Sequence, residues 1–547
     1  MQKFFVLVNG EQQGPFSADQ LKGYLAIGQF QYTDLAWHEG LPDWKPLAEF
    51  AEFPQRAHRT PNYGAVPIRK LAPEKKRKRT NPVLAALLVI IIFGAAGVGG
   101  YFGYQYWSEH KKAAENAAAA GQPKPSEFAS GAAGIPKTLE ELNHWYEEPA
   151  ADQNAATYFL QGCDALQISN ADWNLAALPL IGKALMPATT TPVPSGMKTA
   201  LRAFFEQNQP ALDLFERGAQ CSGSRYPMDM TKGFNASLPY LPKVRQAAQV
   251  STLYALAQAD LHRGTNAGRG VLLALASART LEAEPNLVAQ LIRVSSQTLA
   301  VEALEQTVNR VTLPPDTLTQ LQSAFDRAAE REAAGTGFDR GFVCERITAN
   351  ALIESSAQDL TDAAWISLGP TNNEMPQALK DAFAKVQATR KEQRQFCDDS
   401  FDQLLAARKE PLPGRLKADD LLKTRADEAK AKQYFVPMMI LPPLSTVTSR
   451  REAVALARLR LAQTAIALER FRAANTNRYP EALTELAPKF LAAVPNDPFD
   501  GQPLRYQKAG AGGYLLHSVG ADLKDDNGLR KVGVDDLSFA VVRPPRP

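Results

Sequence analysis

The sequence predicts a multidomain protein: a small α+β domain at the N-terminus, one transmembrane helix, a mostly α helical array, and a small α+β unit at the C-terminus. Three observations carry this. The chain has 547 residues, 45% hydrophobic and 22% charged, more apolar material than one compact core uses. A charge-free apolar run begins at Val83. Short aromatic-rich segments precede it, and long runs rich in Ala, Leu, Gln, Glu and Arg follow it. This composition excludes a wholly disordered or collagen-like chain. The net charge of +3 hides a division: residues 1–82 hold 12 basic and 8 acidic side chains, and the remainder holds 49 and 50.

Residues 1–52 read as the first domain. Phe4-Phe5-Val6-Leu7-Val8 followed by Asn9-Gly10 predicts a strand and a tight turn. Ser17 then caps a helix over 18–27 that Gly28 ends. Phe4, Phe5, Phe16, Tyr24, Phe30, Trp37, Trp44 and Phe50 supply a dense aromatic core for so small a unit. Gly14-Pro15-Phe16, Leu21, Tyr24, Gly28-Gln29-Phe30 and Trp37-x-x-Gly40-x-x-x-Trp44 follow one another at the spacing of the GYF domain family, and the segment resembles its bacterial membrane-protein branch. Tyr24 stands where that family has Trp, and Gln29 where it has the Tyr of GYF. The resemblance implies a protein partner, proline-rich in the eukaryotic branch, held in an aromatic groove by Phe5, Phe16, Tyr24, Phe30 and Trp37. A polyproline helix loses little entropy on docking to flat rings.

A basic linker, 53–82, ends in Lys75-Lys76-Arg77-Lys78-Arg79 and Asn81-Pro82. Residues 83–106 then predict a membrane span, being charge-free and long enough at 1.5 Å per residue to cross a ~30 Å hydrocarbon layer. Tyr101, Tyr104, Tyr106 and Trp107 gather at its far end as an interfacial belt, and the positive-inside rule places the N-terminus in the cytoplasm. The expectation is a single-pass protein of the bacterial inner membrane, with the lipid bilayer as partner and later domains in the periplasm. Gly99 and Gly103 on one helix face offer a route to a dimer. A basic run beside a span reads as a topology signal, so no nucleic acid is expected.

An Ala-rich spacer, 107–135, leads to the helical region 136–436, where Gly264, Pro285-Asn286 and Pro314-Pro315 break successive helices. Cys163, Cys221, Cys344 and Cys397 are disulfide candidates in an oxidising compartment, or else small buried core residues. Signatures for metalloproteases, serine hydrolases, P-loop enzymes and dinucleotide-binding folds do not occur, and the six histidines are scattered.

A linker, 437–450, precedes the unit 451–536. Val454, Ala457, Leu461, Thr464, Leu468 and Phe471 form the apolar stripe of an amphipathic helix, with Glu469 and Arg472 off it. Arg478-Tyr479-Pro480, the Asp497-Pro498-Phe499-Asp500-Gly501 turn, strands over 503–507 and 513–518, and an acidic loop over 520–528 follow. This order resembles the soluble part of the type II secretion major pseudopilin. The resemblance implies Ca2+ held by Asp522, with Asp525 and Asp526; the alternative is a solvated acidic turn. Residues 537–547 read as a Pro-rich tail.

The functional expectation is a non-enzymatic membrane scaffold or adaptor that joins a cytoplasmic GYF-like interaction module to an extracytoplasmic helical domain touching envelope or secretion proteins. The alternative is a membrane-anchored extracytoplasmic hydrolase with its site in the helical domain, marked by burial-perturbed carboxylates converging on a cleft.

Overall fold

The computed structural model describes residues 3–8, 11–17, 35–38, 45–47, 50, 134–168, 176–356, 377–447, 449–509, 512–529 and 536–543. The chain divides into two compact units, Met1–Arg79 and Thr80–Pro547.

In the first unit β1 (Lys3–Val8), β2 (Glu11–Ser17), β3 (Leu35–His38) and β4 (Lys45–Pro46) form an antiparallel sheet in the order β2-β1-β3-β4. Val8 pairs with Glu11, which leaves two residues for the connection, as the Asn9-Gly10 signal requires. Phe4 and Val6 of β1 and Ala36 of β3 are buried, the two-residue alternation of a sheet with one face on a core. The Phe4 ring meets those of His38 and Phe50 edge-on, with centroids 5.3 Å and 5.6 Å away. The helix expected over 18–27 lies outside the described residues.

The second unit is mostly helical. Its first four helices are α1 (Leu139–Asn143), α2 (Ala155–Ala165), α3 (Ser195–Gln207) and α4 (Gln209–Gln220). Next come α5 (Tyr240–Asp260), α6 (Gly264–Arg279) and α7 (Leu287–Arg310), which pack on one another. The predicted breaks fall where these helices meet: Asn286 caps α7 by accepting from the Val288 and Ala289 N–H groups, and Pro315 opens the next helix. Gly270 of α6 lies against α5, where a Cβ would stand 2.6 Å from the Ala255 backbone nitrogen. Beyond them lie α8 (Pro315–Ala334), α9 (Thr336–Glu354), α10 (Gln377–Ala388), α11 (Arg390–Ala407), α12 (Lys417–Lys432), α13 (Phe435–Val447) and α14 (Ser449–Ala474). The strands β5 (Arg505–Ala509), β6 (Gly513–Ser518) and β7 (Leu537–Val542) close the unit as an antiparallel sheet.

Two expectations about the C-terminal unit change. Helix α14 is buried nearly all round: Ala455, Leu456, Leu459, Ala462, Ala465 and Ile466 are covered as well as the predicted stripe positions Ala457, Leu461 and Leu468. It is wedged between α7 and α8 on one side and β6 and β7 on the other, so both of its faces are apolar or small. The linker expected over 437–450 consists largely of α13 and the start of α14. Residues 537–542, read as the start of a tail, form β7. The Glu305 carboxylate accepts from the Ala540 N–H (2.7 Å), and Asn309 Oδ1 accepts from the Val542 N–H (2.9 Å), so side chains of α7 satisfy this sheet edge.

The architecture built on a membrane span is corrected. Among the described residues no helix is long and apolar enough to cross a membrane. The most apolar, α13, has 13 residues, about 20 Å of helix against the ~30 Å needed, and the longest, α14, carries arginines along its length. The segment 83–106, with Gly99 and Gly103, lies outside the described residues. The single-pass fold, the inner-membrane and periplasmic placement, the bilayer partner and the span-mediated dimer are accordingly set aside.

Candidate functional site

Of the five aromatic residues proposed to bind peptide, the fold brings two into register. Phe5 of β1 pairs directly with Trp37 of β3, on the strand positions alternate to the buried Phe4, Val6 and Ala36. Trp37 is half-buried. Phe16 of β2 pairs with Phe4 instead. Tyr24 and Phe30 lie outside the described residues.

The acidic loop is rearranged relative to expectation. Asp522 accepts from the Lys524 N–H at 3.1 Å, an ordinary turn contact, and lies apart from the other two aspartates' partners. Asp526 contributes its backbone N–H to Asp536 at 3.1 Å. Only Asp525 joins a cluster of ligand-type atoms, and its companions are His517 of β6 and Asp536, all within 4.8 Å of one another. His517 Nε2 lies 2.9 Å from Asp525 Oδ1, and that hydrogen bond, together with the Asn527 N–H, holds the Asp525 carboxyl below the usual carboxylate range. His517 and Asp536 were not singled out from the sequence. The signal that would have found His517 is its place at the end of the strand feeding the loop. Asp497 was read only as a turn residue. It is fully buried and accepts from Phe499 N–H, Ser518 Oγ, Val519 N–H and Arg505 Nη1, all at 2.9–3.0 Å, tying the turn to the end of β6.

The four cysteines are free and buried, as small core side chains. Cys163 and Cys221 belong to one core cluster, Cys344 and Cys397 to two others, so each serves as a small apolar side chain. Burial pushes the Cys163 and Cys397 thiols up to about 12.

Buried carboxylates of the helical region form saturated clusters. Glu284 is fully buried and accepts from Tyr240 Oη (3.0 Å), Tyr146 Oη (3.3 Å) and the Tyr226 N–H (3.2 Å). Burial pushes its carboxyl up to about 7, against the lowering effect of these donors. A cavity of about 520 Å³ nearby is lined by Asn154, Leu160, Asp164, Arg225, Tyr226 and Met228 among others, but not by Glu284. Asp164 at its wall pairs with Lys243. Glu452 of α14 binds Arg408 Nη2 (3.1 Å) and Arg415 Nη1 (2.6 Å), all three buried. Glu284 and Glu452 are therefore held in closed clusters, and neither lines the cavity.

Against known families, the model for GYF domain 2 matches residues 4–53, so the chain carries a GYF-like segment at its N-terminus. A GYF domain suggests protein–protein interaction. No curated protein and no solved structure matches the chain. Nothing in these comparisons supports the pseudopilin-like resemblance of 451–536.

Proposed function

We propose that the chain is a non-enzymatic adaptor whose N-terminal GYF-like module captures a protein through an extended, proline-rich segment, while the helical unit is the body it recruits to or presents. The observation that carries this reading is the family match over residues 4–53. The β1–β3 register supports it by setting Phe5 opposite Trp37, a pair of aromatic positions on one side of the sheet of the kind that proline rings stack on. Gln29 stands in the place of the family's Tyr, so weaker binding than by a member with the full aromatic set is expected. The test is fluorescence polarisation of labelled proline-rich peptides with the full chain. Saturable binding that Trp37→Ala weakens at least ~10-fold is expected for an aromatic anchor. Peptides that fail to bind, or that bind equally well after both Trp37→Ala and Phe5→Ala, would overturn the reading.

A further inference from the structure

Most buried ionisable groups of the second unit have partners for their oxygens and nitrogens. Among the described residues, one imidazole atom and one carboxylate atom are buried without a hydrogen bond: His517 Nδ1 and Asp536 Oδ1. His517 is 1% exposed and Asp536 7%, and both belong to the cluster that Asp525 completes. A buried carboxylate oxygen left without a donor costs several kcal/mol, so Asp536 Oδ1 calls for a missing partner.

We propose that His517, Asp525 and Asp536 bind a divalent transition-metal ion, of the zinc class rather than calcium. The 2.9 Å between His517 Nε2 and Asp525 Oδ1 is a hydrogen bond that a cation would replace, the two donors parting to about 3.3–3.6 Å around a tetrahedral ion at about 2.0–2.2 Å. One imidazole nitrogen with two carboxylates suits zinc, cobalt, nickel or manganese, whereas calcium gathers six to eight oxygens. The surroundings hold the donors in place. Asp536 Oδ2 accepts from the Asp526 N–H (3.1 Å) and the Gly528 N–H (2.8 Å), which leaves Oδ1 for the ion. Gly528, at φ 69°, lets the loop pass over His517, where a Cβ would come 3.1 Å from the ring carbon Cγ. Arg505 Nε faces Asp525 Oδ2 at 3.7 Å and balances the charge of the second carboxylate. Three protein donors leave further positions for water. The competing occupant is a proton shared by His517 and Asp525.

The experiment titrates the full-length chain, stripped with chelator, with Zn2+ and separately with Ca2+ by calorimetry, and records Zn K-edge absorption of the loaded wild type. One Zn2+ per chain, at least ~100-fold tighter than Ca2+, is expected, with one imidazole in the shell at about 2.0 Å. His517→Ala and Asp536→Asn should each weaken Zn2+ by at least ~10-fold, and Asp522→Asn should leave it unchanged. Calcium binding as tight as zinc would mean an oxygen-only site and would overturn the proposal. So would an edge spectrum without imidazole, zinc affinity that survives both ligand variants, or no metal binding at all, which would leave the shared proton. The edge spectrum needs no variant and decides the matter even if a substitution unfolds the sheet.

Discussion

Glu452 is the buried ion whose removal the structure lets one price most directly. Its carboxylate is fully buried and joins two guanidiniums that are themselves 0% and 4% exposed, at 3.1 Å and 2.6 Å. Arg408 keeps Asp339 as a second partner at 2.6 Å. Arg415 keeps only backbone carbonyls, those of Arg408, Glu410, Ala333 and Ala334. Glu452→Gln preserves shape but turns one acceptor into an N–H2 group facing a guanidinium. It removes at least one charge-assisted hydrogen bond, about 1.5–3 kcal/mol, and leaves a buried cation uncompensated, which brings the loss to about 3–5 kcal/mol. With an unfolding entropy of about 2.1 cal/mol/K per residue over the roughly 400 described residues, that corresponds to a Tm lower by about 4–6 °C. Differential scanning calorimetry of the full chain reads it, with Glu206→Gln, in an exposed pair with Arg202, as a control expected to leave Tm unchanged. A Tm for Glu452→Gln within 1 °C of that control would refute the reasoning.

Two further outcomes follow from the interior. Glu284 is raised from 4.5 to about 7 by burial, so its contribution to stability is fully present below about pH 4.5 and is lost as the pH rises through about 7. Relative to Glu284→Gln, the wild type should therefore lose about 3 kcal/mol between pH 4 and pH 8, read by denaturant titration at each pH, and a flat difference would contradict the assignment. The four buried thiols, two of them pushed up to about 12, should be inert to a thiol reagent in the native chain and all four reactive after denaturation; fewer than four in denaturant would reveal a disulfide.

The parts of the fold that depend on neighbours in sequence were legible. The Val8–Glu11 pairing follows from Asn9-Gly10, and the cap at Asn286 and the start at Pro315 follow from local backbone chemistry. What depends on distant partners was not. The stripe on α14 was read as one-sided because alanine counts as neutral. Ala455, Ala462 and Ala465 in fact let a second layer approach the other face, and Glu469 and Arg472 are buried because Tyr479 and Arg543 reach them. Strand β7 was hidden by the prolines that follow it, although Leu537–Val542 is rich in residues that favour strands. In the acidic loop the pseudopilin resemblance pointed to Asp522, with Asp525 and Asp526; spatial convergence keeps Asp525 and joins it to two residues 8 and 11 positions away in sequence.

The contrast between the two kinds of buried charge bears on what the second unit does. Glu284, Glu452, Glu469 and Asp497 each sit where surrounding donors meet their oxygens, an arrangement that locks helices and turns together and leaves no acceptor for a substrate. Burial raises Glu284 and Glu452 for structural reasons, so perturbation alone is no guide to chemistry here. Incomplete pairing is the more informative observable. Among the described residues the unpaired buried atoms include one imidazole nitrogen and one carboxylate oxygen, and these two residues lie together at the end of the central strand of the C-terminal sheet, outside the helical region. A cation there would bridge β6, the acidic loop and the residue that opens toward β7, holding in place the strand that Glu305 and Asn309 clasp to α7. The sheet and the helical body are thus stabilised through the same strand, and metal removal should loosen β7 before it disturbs the helices.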